Sequence, residues 1–339
     1  MRIKNIRCIF NLLGTVGYIN NHSINFNNYS FNFESSSTMG FAFYNKRIYS
    51  FDISNGNVYL IEVDKNNIIS TNCGTTLMKF PLGENIFYEK ESIGAQKTKL
   101  IFYNFKSEIV NEIVITNLDR SYHFFPYFAS ITNDYQEFIL FNYLEKLPKW
   151  TFSAKHLGTY TDYTGIHEGK IKGEVFKCRN TIISELSSPQ LVGTNVKFVG
   201  LDIESGNLLW VKEFPLDFYT RLVNYKDELL VLGEYLWKMD PTTGELLERY
   251  IPFFEMVGRY HNFLITDDYI FTYTLKTEIK QLSRKTGVIL WSDTLYGDKE
   301  AGRRGKTING NDPIQYADGK LYVLDSEKVL HVLDVANDK

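Results

Sequence analysis

The sequence predicts an all-β fold, a single propeller domain of seven four-stranded blades over residues 1–339. Three observations predict it. A strand-and-turn unit returns about every 40–50 residues, the period of a ring of small sheets. Short apolar runs punctuated by Gly, Asn and Asp dominate, and helical periodicity is scarce. Three of the four tryptophans stand at one fixed offset from the unit.

The unit is clearest in Leu201-Asp202-Ile203-Glu204-Ser205-Gly206-Asn207-Leu208-Leu209-Trp210. It repeats as Met239-Asp240-Pro241-Thr242-Thr243-Gly244-Glu245-Leu246-Leu247-Glu248 and as Leu282-Ser283-Arg284-Lys285-Thr286-Gly287-Val288-Ile289-Leu290-Trp291. Asp202 and Asp240 end a strand, and their carboxylates can accept backbone amides two residues on, which starts a turn. Gly206 and Gly244 follow four positions later, where positive φ returns the chain into a bulged hairpin. The next strand carries an apolar run and, in two of these copies, a Trp that can fill the seam between sheets. Fainter copies are anchored on Asp52, Asn104, Asn142 (eight residues before Trp150) and Asp334. Seven anchors predict seven blades, with the longer spacings absorbing loop insertions.

The remaining strands follow from alternation. Phe41 to Tyr44, Lys99 to Phe105, Glu137 to Phe141, Val196 to Val199, Leu229 to Leu232, Tyr269 to Tyr273 and Lys320 to Leu324 all read as half-buried strands. The last anchor leaves no room for an outermost strand after Asp334. An open sheet edge exposes unpaired backbone groups. Ile3 to Phe10 is therefore expected to complete the blade of Val329 to Val335.

The pattern resembles the quinoprotein-type, or pyrroloquinoline-quinone-like, repeat of bacterial β-propellers, which reads roughly strand-Asp-x-x-Thr-Gly-x-x-x-Trp. Asp202, Asp240, Thr243-Gly244, Thr286-Gly287, Trp210 and Trp291 carry the likeness, which is strongest over about the last 150 residues. The resemblance implies a propeller, and a repeat of this kind specifies a fold and not a cofactor. Quinone-dependent dehydrogenases with related repeats are longer and add calcium and cofactor ligands. No residues here match those roles, so no cofactor and no enzymatic activity are expected.

Lys and Arg number 37 against 40 Asp and Glu, so nothing favours a nucleic-acid partner. No run of 18 apolar residues marks a membrane span. Cys8, Cys73 and Cys178 are odd in number and far apart, which predicts free thiols in a reducing cytoplasm. The opening from Met1 is basic, but its apolar stretch is broken by Asn11 and no small-residue cleavage site follows, so no signal peptide is expected. Abundant Asn, Ile, Lys, Phe and Tyr point to an AT-rich bacterial genome.

The search for chemistry gives little. Glu300 to Thr307 nearly matches a phosphate-binding loop, but its first Gly is Glu, and Asn309-Gly310-Asn311-Asp312-Pro313 cannot start the required helix. His167-Glu168 lacks the second His of a zinc-protease helix, since position 171 is Ile. His156, Asp162 and His167 share a Gly- and Tyr-rich stretch that reads as a solvated loop. His331 sits in an apolar strand and reads as a satisfied core or channel His. Cys73 has no His near it in sequence.

The expectation is a non-catalytic, monomeric propeller that binds a protein partner. One specific version is a bacterial immunity protein that neutralises a toxin. The alternatives are a propeller enzyme acting on a small molecule or sugar, and an envelope assembly scaffold. C–D turns open on one face of a propeller, while B–C loops and D-to-A crossovers open on the other. Long insertions are expected on the second face at Glu89 to Thr98, Lys155 to Gly169, Ser184 to Gly193 and Tyr296 to Asp312. The second and fourth, read as joining blades three to four and six to seven, would lie on roughly opposite sides of the channel. They carry Tyr160, Tyr163, His167, Tyr296, Arg303 and Arg304, and Tyr and Arg anchor interfaces more often than other residues.

Overall fold

Alternating apolar and polar residues give each strand one face for the seam on either side, and turn residues limit most strands to four to eight residues. In the computed structural model, the described residues are 2–335 without 13–14, 21–22, 27–28, 33–38, 45–46, 53–56, 63–66, 73–78, 84, 133, 158, 163–164, 187–195, 215–220, 233–234, 253–261, 274–277, 296–306 and 309–312.

The strands form eight four-stranded antiparallel sheets. The fourth strand of the last sheet is β1 (Arg2–Ile3). Blade 1 is β2 (Ile6–Leu12), β3 (Thr15–Asn20), β4 (Ser23–Phe26) and β5 (Tyr29–Asn32). Blade 2 is β6 (Met39–Tyr44), β7 (Arg47–Asp52), β8 (Asn57–Glu62) and β9 (Asn67–Asn72). Blade 3 is β10 (Lys79–Pro81), β11 (Ile86–Gly94), β12 (Lys97–Asn104) and β13 (Ile109–Thr116). Blade 4 is β14 (Leu118–Phe124), β15 (Tyr127–Thr132), β16 (Glu137–Asn142) and β17 (Trp150–Ser153). A separate hairpin, β18 (Thr159–Asp162) and β19 (Gly165–Glu168), precedes blade 5. Blade 5 is β20 (Ile171–Cys178), β21 (Thr181–Leu186), β22 (Val196–Asp202) and β23 (Leu208–Phe214). Blade 6 is β24 (Arg221–Tyr225), β25 (Glu228–Leu232), β26 (Tyr235–Met239) and β27 (Leu246–Pro252). Blade 7 is β28 (Asn262–Ile265), β29 (Tyr269–Tyr273), β30 (Glu278–Ser283) and β31 (Ile289–Thr294). Blade 8 is β32 (Ile314–Ala317), β33 (Lys320–Leu324) and β34 (Leu330–Asp334), with β1 outermost.

First strands of neighbouring blades lie side by side, as β6 with β10, β14 with β20, β20 with β24, and β2 with β32. They surround the central axis. The core is divided among the seams, each cluster drawing from two adjacent blades. Between blades 4 and 5 it joins Phe138 and Leu140 to Ile182 and Val199. Between blades 8 and 1 it joins Leu324 and Leu330 to Ile6 and Ile9.

The blade count corrects the expected seven to eight. Blade 1 was missed because its short strands β4 and β5 meet at residues 27–28 without an Asp-to-Gly spacing. Asp52 ends the second strand of blade 2 and not the third, so its turn is on the other face. The first strand also departs from expectation. Only Arg2 and Ile3 pair with β34, opposite His331 and Leu330. Ile6 to Leu12 pairs with β3 in blade 1. Asn5, at φ 63°, stands between the two strands.

The recurring turns behave as their residues predict. Asp202 Oδ1 accepts the Glu204 and Ser205 amides at 3.1 and 2.7 Å. Asp240 Oδ1 accepts Thr242 and Thr243 at 2.7 and 3.2 Å. Gly206 and Gly244 have φ of 73° and 69°. The tryptophans act between blades. Trp150 Nε1 donates to the Ile203 carbonyl of the next blade's turn at 2.9 Å, and Trp210 Nε1 donates to Pro241 at 2.7 Å. Each indole covers the turn glycine of the next blade, and a Cβ on Gly206 would lie 2.5 Å from Trp150.

Candidate functional site

Antiparallel alternation places the B–C and D-to-A connections on one face of the ring. A cleft of about 360 Å³ opens there, lined by Gln96, Asn117, Thr132, Asp134, Gln136, Glu137, Ser153 and Lys155. Blades 3 and 4 contribute its walls. The Thr132 hydroxyl donates to Asp134 Oδ1 at 2.6 Å, and this bond holds the Asp134 carboxyl below the usual carboxylate range. The Gln136 amide also donates to Asp134, at 3.2 Å. Asn117 Oδ1 has no hydrogen-bond partner among the described residues. The lining is polar and mixed in charge, suited to hydrogen bonding.

The β18–β19 hairpin stands beside this cleft. Its last residue, Glu168, accepts Gln136 Nε2 at 2.8 Å, and Lys155 Nζ lies 3.6 Å away. Both members of that ion pair are about half exposed, so it adds little stability. The Ile171 amide donates to the Tyr135 carbonyl at 2.6 Å, anchoring the chain where it leaves the hairpin.

Of the predicted partner-binding residues, the structure brings Tyr160 and His167 together as directly opposed residues of the hairpin. Tyr163, Tyr296, Arg303 and Arg304 lie outside the described residues. Most of the phosphate-loop-like segment Glu300 to Thr307 and residues 187–193 of the stretch Ser184 to Gly193 do too. Glu89 to Thr98 is no irregular insertion, because β11 and β12 run as paired strands to a tight turn at Ala95-Gln96. With eight blades, Lys155 to Gly169 joins blades 4 and 5, and Tyr296 to Asp312 joins blades 7 and 8. The two crossovers are thus three of eight steps apart around the ring.

Among the described residues no group of three or more His, Cys, Asp or Glu is placed to hold a metal. No helix among them is long and apolar enough to cross a membrane. Cys8 and Cys178 are free thiols, and burial pushes both up to about 11. Cys73 lies outside the described residues. His331 is 3% exposed, and its Nε2 lies 2.7 Å from Asp325 Oδ2. It is the satisfied core His that its strand predicts.

One constellation was invisible in the sequence. At the inner end of the seam between blades 3 and 4, Lys90 donates to the Ser121 hydroxyl, and Tyr88 shares a hydrogen bond with His123 Nε2. More than a third of the His123 surface is open, while protein surrounds its other sides. That burial, with Lys90, pushes the imidazole down to about 4. Burial also lowers the Lys90 ammonium and raises the Tyr88 phenol. These residues come from two blades, about 30 positions apart, so no local motif announces them.

No family model matches the chain, and no curated protein sequence matches it. Solved structures do. BamB from Moraxella catarrhalis superposes with a TM-score of 0.55 at 12% identity, covering 100% of this chain and 98% of that one. Sqt1 from Saccharomyces cerevisiae gives 0.54 at 9% identity, covering 98% and 96%. Apo AztD from Citrobacter koseri gives 0.49 at 12% identity, covering 85% and 86%. At these identities the first two likenesses show the fold, and the chain is a β-propeller over its whole length.

Proposed function

We propose that this propeller is a non-catalytic scaffold that docks a protein partner on the face of its B–C and D-to-A connections. The observation that carries the reading is the β18–β19 hairpin, the only strand pair among the described residues that belongs to no blade. A ring needs no such element to close its sheets. It is tied through Glu168 to the rim of a polar cleft, and Tyr160 and His167 are opposed residues within it. Connections carried on a rigid scaffold are where proteins place recognition.

The specific version is a cytoplasmic bacterial immunity protein whose partner is a toxin. Its support is the composition, the degenerate repeat and the lack of a catalytic motif in the sequence. The test asks first whether a toxin is encoded beside this gene, whose absence would count against the toxin version, and then uses that toxin purified in an inactive form. The full chain should bind it. Replacing Tyr163, Arg303 and Arg304 with Ala should leave the melting temperature nearly unchanged and weaken binding tenfold or more, about 1.4 kcal/mol. Undiminished binding by the triple variant, or a complex covering only the short-turn face, would overturn the docking face. No binding by the full chain would overturn the toxin version.

A further inference from the structure

The seam between blades 3 and 4 contains polar groups that neither the blade repeat nor the partner face uses. On β14, Ser121 and His123 alternate with Tyr122 and Phe124, which pack on the core shared with blade 5. Ser121 and His123 therefore face blade 3. From blade 3, β11 brings Tyr88 and Lys90 to meet them. The Tyr88 and His123 rings are 4.9 Å apart, edge to face, and His123 lies 5.6 Å from the Phe128 ring. Lys90 Nζ stands 5.5 Å over the Phe80 ring.

Two features of this cluster are unresolved by its own contacts. The first is the charge of Lys90. It pairs with no carboxylate among the described residues, although it is partly buried. Glu89 and Glu91, the acids on either side of it in β11, point to the other face of the sheet, where Glu89 accepts the Tyr103 hydroxyl at 2.6 Å. A partly desolvated ammonium without a counter-ion is costly. The second is Ser130. The register sets it directly across from Ser121, hence on the same face. It is 0% exposed, and its hydroxyl has no hydrogen-bond partner among the described residues. A cation, an imidazole, a serine hydroxyl and an orphan hydroxyl thus share one face, and His123 is partly open to solvent.

We propose that Lys90, Ser121 and His123 form a binding site for a small oxyanion, a phosphate or carboxylate group, entered past the exposed His123. The ammonium supplies the charge, and the hydroxyl of Ser121 can turn to donate to the anion. His123 takes up a proton as the anion arrives and becomes a second charged donor. Ser130 is the further donor on the same face. The site is separate from the partner face and does not depend on it.

The test is histidine-ring NMR on the full chain, with inorganic phosphate or acetate titrated at neutral pH and ionic strength held constant with chloride. The His123 signals are assigned through His123→Gln. They should shift saturably with at least one probe, while those of buried His331 stay still. Saturation by phosphate alone identifies a phosphate-bearing ligand, and saturation by acetate a carboxylate. Lys90→Gln should raise the Kd roughly tenfold or more. Ser121→Ala, which keeps every charge, should weaken binding by a smaller factor and serves if the lysine variant does not fold. Absence of saturation with both probes, or unchanged affinity in the variants that fold, would overturn the site.

Discussion

The turn glycines show how one residue answers two demands. Gly206 sits at φ 73°, where a β-branched residue is strained, and it lies under the Trp150 indole. Gly244 repeats both features under Trp210. Val at either position should lower stability by about 1–3 kcal/mol from backbone strain alone, with the indole overlap adding to it. Unchanged denaturant midpoints in both variants would refute the assignment. Trp150→Phe should cost less, since it keeps an aromatic ring in the seam and loses the pyrrole half of the indole with its bond to Ile203. His123 makes a pH prediction. Its folded pKa, pushed down to about 4 by burial, lies below the ordinary imidazole value of about 6.5. The unfolded chain therefore binds the proton first, and stability falls as pH drops from 6.5 towards 4. Chemical denaturation across that window should show a smaller loss for His123→Gln than for the parent chain. Parallel curves would show that His123 is not held neutral.

At the scale of elements, the first strand is the informative one. Arg2 and Ile3 give blade 8 its fourth strand, and Ile3 packs against the cluster between blades 8 and 1. The Ile6 amide donates to the Lys328 carbonyl at 2.9 Å, a further tie between the chain's beginning and its last blade. Deleting residues 1–4 should lower the melting temperature by a few degrees, because it bares the edge of β34. Deleting residues 1–12 should be far worse, since it also removes β2, the axial strand of blade 1. Equal melting of the short deletion and the full chain would show that β1 contributes nothing to closing the ring. The hairpin β18–β19 is expected to behave in the opposite way. Replacing residues 159–168 with a Gly-Ser turn should leave melting nearly unchanged and abolish partner binding.

At the scale of the molecule, eight blades leave eight outer strands as open edges. Exposed apolar residues do occur on them, Ile109 at 56%, Leu247 at 57% and Ile289 at 45% among others. They belong to different blades, and charged neighbours interrupt them, Glu112 on β13, Lys212 and Glu213 on β23, and Glu248 and Arg249 on β27. Charges on an edge strand discourage pairing with another copy. The chain should therefore run as a monomer of 39.4 kDa in light scattering. A concentration-dependent dimer would mean that one of these edges is an interface.

The sequence by itself determined the repeat, because its cause is local. An Asp or Asn that accepts amides two or three residues on, and a Gly at positive φ, act within one turn. Asn104, Asn142, Asp202 and Asp240 accordingly all mark third-to-fourth strand turns. Where that chemistry is lacking, at residues 27–28, the blade went uncounted, and Asp52 attracted an anchor that belongs to another turn. Strand order, and hence the true count, depends on pairing between distant residues, such as Arg2 with His331. The partner face was legible only as long connections rich in Tyr and Arg. The polar cluster of Tyr88, Lys90, Ser121 and His123 was not legible at all. Its members are unremarkable along the chain, and only the packing of blade 3 against blade 4 leaves a lysine with no carboxylate partner among the described residues beside an open histidine. Tertiary structure decides this, because desolvation and the placing of counter-ions are properties of the seam and not of either strand.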